Sequence, residues 1–257
     1  MSSRIDFHFS DFTESHYREL LAMALDIYRF VPFTEFDQAG RVCLWRHDVD
    51  FSPQRAKALA SIEASMGVTA TYFINIHSEF YNAQDEPSSR LIREILGMGH
   101  RLGLHFDAGF YSHKTWTAEE RLPVLRREKD VLETLFGVEV GCYSIHNPTV
   151  TTDWNSDETM LAGMVNAYCR AIASRFTYVS DSNGIWWRGR RLADILADPP
   201  ERLHLLTHPE WWPPEAMSPR ERISRCLDGR ARAYHEAYDH FLLELMRPNI
   251  GREERNK

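Results

Sequence analysis

"LWRHDVDFSP" (residues 44–53) places one histidine and two aspartates within four positions, at the end of an apolar run. That run, "RVCLWRH" (41–47), reads as a buried strand. Directly after it, "PQRAKALASIEASMG" (53–67) reads as a helix, with Pro53 in its first turn and Gly67 at its end. A strand that runs through charge into a helix is the start of a β/α unit, and the same order recurs along the chain.

Further strands are expected at "TATYFINI" (69–76), "RLGLHF" (101–106), "VGCYSIH" (140–146), "FTYVSD" (176–181) and "RLHLLTH" (202–208). The expected helices between and after them are 88–99, 117–137, 157–173, 191–197 and 218–246. An earlier helix, 13–30, has Thr13 as its N-cap. Strands followed in turn by helices imply a parallel sheet with right-handed crossovers. A closed or nearly closed (β/α) barrel is the first expectation and a doubly wound open sheet the second. The expected domain is a single unit over 1–257, with the helices 13–30 and 218–246 at its two ends.

The composition fits this. The chain has 257 residues, 43% of them hydrophobic and 26% charged, which suits one large globular domain. Its net charge of −7 argues against broad nucleic-acid binding, which needs a basic face. The basic run "RREK" (126–129) reads as a solvated helix face. No stretch approaches the ~18 apolar residues of a membrane span. The N-terminus lacks a signal-peptide pattern, and Cys43, Cys142, Cys169 and Cys226 are scattered, so reduced thiols and a cytoplasmic location are expected. Neither GxGxxG nor a Walker-type loop is present.

Polar residues gather at the strand ends. Asp48 and Asp50 end the first of the six strands, His105 and Asp107 the third, His146 the fourth, Asp181 the fifth and His208 the sixth. In parallel β/α folds the C-terminal edge of the sheet is where sites are assembled. Residues i and i+2 of an extended segment share a face, so Asp48 and Asp50 point the same way. Two carboxylates in one mouth repel unless a cation or a shared proton relieves them. Histidines from neighbouring strands would complete the shell of a divalent metal. Two histidines and a carboxylate, with positions left for water, are a common catalytic set for zinc and related metals. The other carboxylate can then take a proton.

"RHDVDFSPQRA", "GVTATYF", "GHRLGLHFD" and "LLTHPEWW" together resemble the polysaccharide deacetylase family, also called the NodB-homology or carbohydrate esterase four family, over residues 41–212. The likeness is to a cytoplasmic branch whose first motif reads His-Asp-Val-Asp. The resemblance implies a distorted, incomplete (β/α) barrel that removes acetyl groups from sugars with zinc or another divalent metal such as Fe, Co, Ni or Mn. It implies Asp48 as general base, Asp50 and His105 as metal ligands, and His208 as general acid. Two departures stand out. The family's second ligand histidine falls on Gly109, and its arginine of the third motif falls on His146. One reading joins them: His146 supplies the missing ligand, with Asp107 and His113 as rivals.

Among the other histidines, His47, His100 and His204 read as structural, while His77 could face the mouth. Trp186 and Trp187 follow the fifth strand and Trp211 and Trp212 the sixth; Trp187, Trp211 and Trp212 suit stacking on a sugar face, and Asp181 suits a substrate hydroxyl. The expected function is hydrolytic removal of an acyl group from an N-acetylated sugar or a related small amide or ester. The alternatives are a catalytically inactive sugar-binding relative and a metal-dependent phosphohydrolase. The second of these would use Arg46, Arg188, Arg190 or Arg191 on phosphate. The expected partner is a small soluble molecule, with neither nucleic acid nor membrane.

Overall fold

The computed structural model describes residues 7–149 and 154–251. The outermost residues of the expected domain, 1–6 and 252–257, lie outside that range. The chain enters through α1 (Glu14–Leu25), where the Thr13 side chain accepts from the His16 N–H. This helix is shorter than expected, because residues 29–30 already pair as a strand. The order continues β1 (Arg29–Phe30), β2 (Val42–Val49), α2 (Pro53–Ser65), β3 (Thr71–Ile74), α3 (Glu86–Gly97), β4 (Arg101–Phe106), α4 (Ala118–Phe136) and β5 (Cys142–Ile145). It ends β6 (Met160–Leu161), β7 (Met164–Asn166), α5 (Arg170–Ala173), β8 (Thr177–Ser180), α6 (Leu192–Ala197), β9 (Arg202–Thr207) and α7 (Pro219–Glu244).

All six expected strands are present, as β2, β3, β4, β5, β8 and β9. The sheet runs β6-β7-β5-β4-β3-β2-β9-β8, with β1 also on β2, and every described pairing is parallel except β6 with β7. The sheet curls into a distorted, incomplete barrel, as expected. Side chains span the gap between its two ends. Tyr168, just after β7, lies 6.3 Å from the Tyr178 ring of β8, and its hydroxyl meets Arg46 from the middle of the sheet.

The helix expected over 157–173 is absent. In its place β6 and β7 form a hairpin, followed by only the four residues of α5. Ala162 and Gly163 both have positive φ (51° and 78°), the backbone of a two-residue hairpin turn. Apolar residues at 160, 161, 164 and 165 fit helical spacing as well as a hairpin, so the pattern is ambiguous over so short a run.

β2 is buried throughout, and its two faces do different work. Cys43, Trp45, His47 and Val49 face the helices. Glu63 of α2 gathers the outer polar groups: it accepts from the Tyr17 and Tyr72 hydroxyls and meets His47 Nε2 at 2.6 Å. His47 Nδ1 in turn meets the Thr207 hydroxyl at 2.6 Å, tying β2 to β9. His100 is structural too, bonding the Ala70 N–H and the Ala60 carbonyl. Inside the barrel, Val42, Leu44, Phe33, Phe73 and Cys142 pack an apolar base. Gly103 of β4 makes room for it, since a Cβ there would sit 2.7 Å from the Phe73 ring. Above this base the interior becomes polar, with Arg46, then Asp48, then Asp50. No described helix is long and apolar enough to cross a membrane.

Candidate metal centre and its surroundings

The site stands where the inward faces of β2, β4, β5 and β9 reach the C-terminal edge of the sheet. Register brings its members together: His105 lies opposite Ser144, and His47, next to Asp48, lies opposite Thr207, next to His208. Asp50, His105 and His146 each offer one ligand atom, and the three atoms lie within 4.8 Å of one another. His105 Nε2 is 3.2 Å and His146 Nδ1 3.4 Å from Asp50 Oδ1, and the two nitrogens are 3.0 Å apart. Asp50 Oδ1 is nevertheless buried without a hydrogen bond in proper alignment. Each imidazole is oriented through its other nitrogen, His105 Nδ1 by the Ser144 hydroxyl at 2.7 Å and His146 Nε2 by the Asn147 amide at 2.8 Å. Two nitrogens and a buried carboxylate oxygen converging on one point are a donor set that fits a divalent cation.

Burial would raise the Asp50 carboxyl, but His105, His146 and His208 outweigh it and hold it well below the usual carboxylate range. His146 responds in the opposite sense: burial lowers it, and Asp50 more than reverses that. Of the rival ligands, Asp107 spends an oxygen on the Gly109 N–H, and His113 is exposed beside Trp116.

Two groups flank the cluster. Asp48 is buried, with Oδ2 2.9 Å from Arg46 Nη2 and 3.6 Å from His105 Nδ1, while its Oδ1 carries no hydrogen bond. On the other side His208 Nε2 lies 3.8 Å from Asp50 Oδ2. His208 Nδ1 pairs with Asp181 at 2.7 Å. Burial pushes this imidazole down, but the Asp181 carboxylate beside it, helped by Asp50, lifts it to about 10.

Several expected roles change. Asp181 is fully buried, and its carboxylate is taken up by the His208 backbone N–H, His208 Nδ1 and the Trp212 indole, so it does not face a substrate. Trp212 is also fully buried, packed between Phe12, Tyr17 and Trp186, and cannot stack on a sugar. Trp211 is only 7% exposed, whereas Trp187 is 41% exposed and lies under Arg188. His77 stacks on Phe110 and meets Glu128, so it belongs to the α4 side and is no part of the cluster. His204 faces the barrel interior between Phe33 and Tyr178; its Nε2 lacks a partner, and burial holds the ring neutral.

Sequence reasoning missed Arg46 as the partner of Asp48, although its i, i+2 spacing from that aspartate was a signal. It also missed Ser144, and Glu210, whose two buried oxygens have no partner and whose carboxyl is pushed well up by burial and by Asp50.

No protein-family model matches the chain, and no curated protein does. Among solved structures it is similar to the peptidoglycan deacetylase PdaC from Bacillus subtilis, at 16% identity over 80% of this chain and 96% of that one, with a TM-score of 0.43. It is similar to the chitin deacetylase from Colletotrichum lindemuthianum, at 13% identity over 75% and 83% of the two chains, with a TM-score of 0.41. A third is a CE4 family pseudoenzyme from Bacillus anthracis, at 12% identity over 76% of this chain and 61% of that one, with a TM-score of 0.43. The chain therefore spans less than two thirds of the pseudoenzyme's length. The solved structures it resembles are polysaccharide deacetylases of the CE4 family, pseudoenzymes included.

Proposed function

We propose that the protein is a metal-dependent hydrolase that removes an acyl group, foremost acetyl, from an N-acetylated sugar or a related small amide or ester. The observation that carries this reading is the convergence of Asp50, His105 and His146, with Asp48 on one side and His208 on the other. Asp50, His105 and His146 hold the cation, zinc first, with iron, cobalt, nickel or manganese as other choices. A divalent cation bound there supplies a Lewis acid for a carbonyl and lowers the pKa of a water molecule.

The chain's own residues do the rest. Arg46 holds Oδ2 of the buried Asp48, which leaves its Oδ1 to accept the proton of the attacking water. His208, held as imidazolium by Asp181, delivers a proton from Nε2 to the leaving amine or alcohol. Trp187 is the exposed aromatic candidate for a sugar face. A soluble cytoplasmic substrate is the class proposed.

The phosphohydrolase alternative keeps Arg188, which lies over the Trp187 ring, but its other three arginines are engaged elsewhere. Arg46 is fully buried on Asp48, Arg191 is paired with Asp11, and Arg190 bonds the Tyr178 carbonyl. The deciding experiment is a screen of acetamido sugars for released acetate with metal-loaded protein. Turnover abolished by Asp48→Asn and reduced by His208→Ala supports the proposal. Metal and sugar binding without turnover would favour the inactive relative.

A further inference from the structure

The C-terminal helix α7 is anchored at its start. Ser218 and Glu221 form a capping box, and Arg222 reaches the carbonyls of Gly184 and Phe9. One turn past Cys226, Arg230 meets Asp85 at 3.1 Å. From Ala231 to Glu244 only Leu242 is buried. A helical stretch this long standing in water is marginal without a packed face.

Most of its large exposed apolar residues share one stripe, with Leu243 on another face. Leu227, Ala231, Tyr234, Tyr238, Phe241 and Leu245 follow one another at spacings of four, three, four, three and four, the alternation of a two-helix seam. All six are exposed; the five large ones are at 45%, 54%, 58%, 52% and 43%.

We propose that this seam is a dimer interface, and that its occupant is α7 of a second copy of the chain, running antiparallel. Self-complementarity carries the choice. About a two-fold axis near residue 236, Leu227 faces Leu245 of the second copy, Ala231 faces Phe241, and Tyr234 faces Tyr238, each layer occurring twice. The small Ala231 sits opposite the large Phe241, and like-sized residues share the other layers. Charge agrees. Arg230 and Glu244 flank the seam on the same side, one at each end, and antiparallel pairing sets each opposite the other in the second copy. A parallel pair would instead set Arg230 opposite His235 and leave Glu244 without an opposite charge. Arg230 is already oriented beside the seam, its guanidinium bonded to Asp85 and lying over the Tyr234 ring.

The test is sedimentation equilibrium of the full chain from nanomolar to high micromolar concentration. The expected result is twice the 30.0 kDa chain mass, with a micromolar dissociation constant. Tyr238→Glu puts like charges into the central layers and should weaken association at least about a hundredfold, while helicity and the metal site stay intact. Arg230→Glu should weaken it about tenfold, and the double variant R230E/E244R should restore it, because only the antiparallel register reunites those charges. Ala231→Cys with Phe241→Cys should yield a covalent dimer under oxidation. A monomer at every concentration, a dimer indifferent to Tyr238→Glu, or a failure of R230E/E244R to recover would each overturn the proposal.

Discussion

Asp181 sits fully buried behind His208 and determines its charge. Its carboxylate accepts from His208 Nδ1 at 2.7 Å, from the His208 backbone N–H at 3.0 Å and from the Trp212 indole at 2.7 Å. Asp181→Asn removes the charge and keeps the shape. Burial then acts on His208 with less opposition, and its pKa should fall from about 10 by about two pH units, the usual worth of a close opposite charge. If His208 is the proton donor, the alkaline limb of the rate profile should move down by the same amount. Stability should move with it. The folded pKa lies above the ordinary 6.5, so the contribution is full below pH 6.5 and is lost as the pH rises through about 10. The variant should therefore lose about 2–3 kcal/mol at pH 7 and much less above pH 10. The assay is an NMR titration of the His208 ring protons in both proteins, paired with urea denaturation at the two pH values. A His208 pKa that moves by less than about half a pH unit would refute this account of its charge.

Elemental analysis should find about one divalent metal per chain, lost in Asp50→Ala and His105→Ala and weakened by about 10-fold or more in His146→Ala; metal content unchanged in His146→Ala would remove His146 from the ligand set. Arg46→Met leaves Asp48 buried without its counter-charge and should cost about 3–5 kcal/mol in denaturation. Glu63→Ala strands Tyr17, Tyr72 and His47 and should cost about 3 kcal/mol or more. Burial raises Glu63, but His47 and its other partners more than offset that, so its stabilisation should be full above pH 4.5 and lost as the pH falls through its lower folded value. Gly103→Ala should cost about 1–3 kcal/mol by overpacking against Phe73, with metal content preserved.

The barrel was legible because β2, β3, β4 and β9 repeat a plain signal: an apolar run, a polar end, then a helix opened by a cap or proline. Asp48 and Asp50 could be placed on one face from the period of two alone. The β6–β7 hairpin was hidden because its apolar pairs match a helical stripe equally well. Burial is the other thing that sequence conceals. Trp211 and Trp212 are neighbours in the chain, yet Trp212 is enclosed by Phe12, Tyr17 and Trp186, aromatics from distant segments. Asp181 falls at a strand end like the other site residues, but register turns it toward His208 and Trp212 and away from any substrate. Ser144 emerges as the support of His105 only once β4 and β5 are paired.

The opening puzzle, two carboxylates two residues apart on one buried strand, resolves as a separation of counter-charges. Asp48 is neutralised from below by Arg46, which shares its strand and is held by Tyr168 over the apolar base of the barrel. Asp50 is neutralised from the side by imidazoles of β4 and the end of β5, the point at which a cation fits. Asp181 is neutralised by His208. Glu210 alone among these acids has no hydrogen-bond partner, and burial beside Asp50 pushes its carboxyl well up. Two imidazoles link these acids, His208 between Asp181 and Asp50 and His105 between Asp48 and Asp50, so a change at one acid reaches its neighbour. On the proposed function, that arrangement lets the base Asp48 and the metal ligand Asp50 share one strand edge, with Arg46 on the first and imidazoles on the second. On that same proposal, Arg46 serves Asp48 from within its own strand, and His146 is left to join Asp50 and His105.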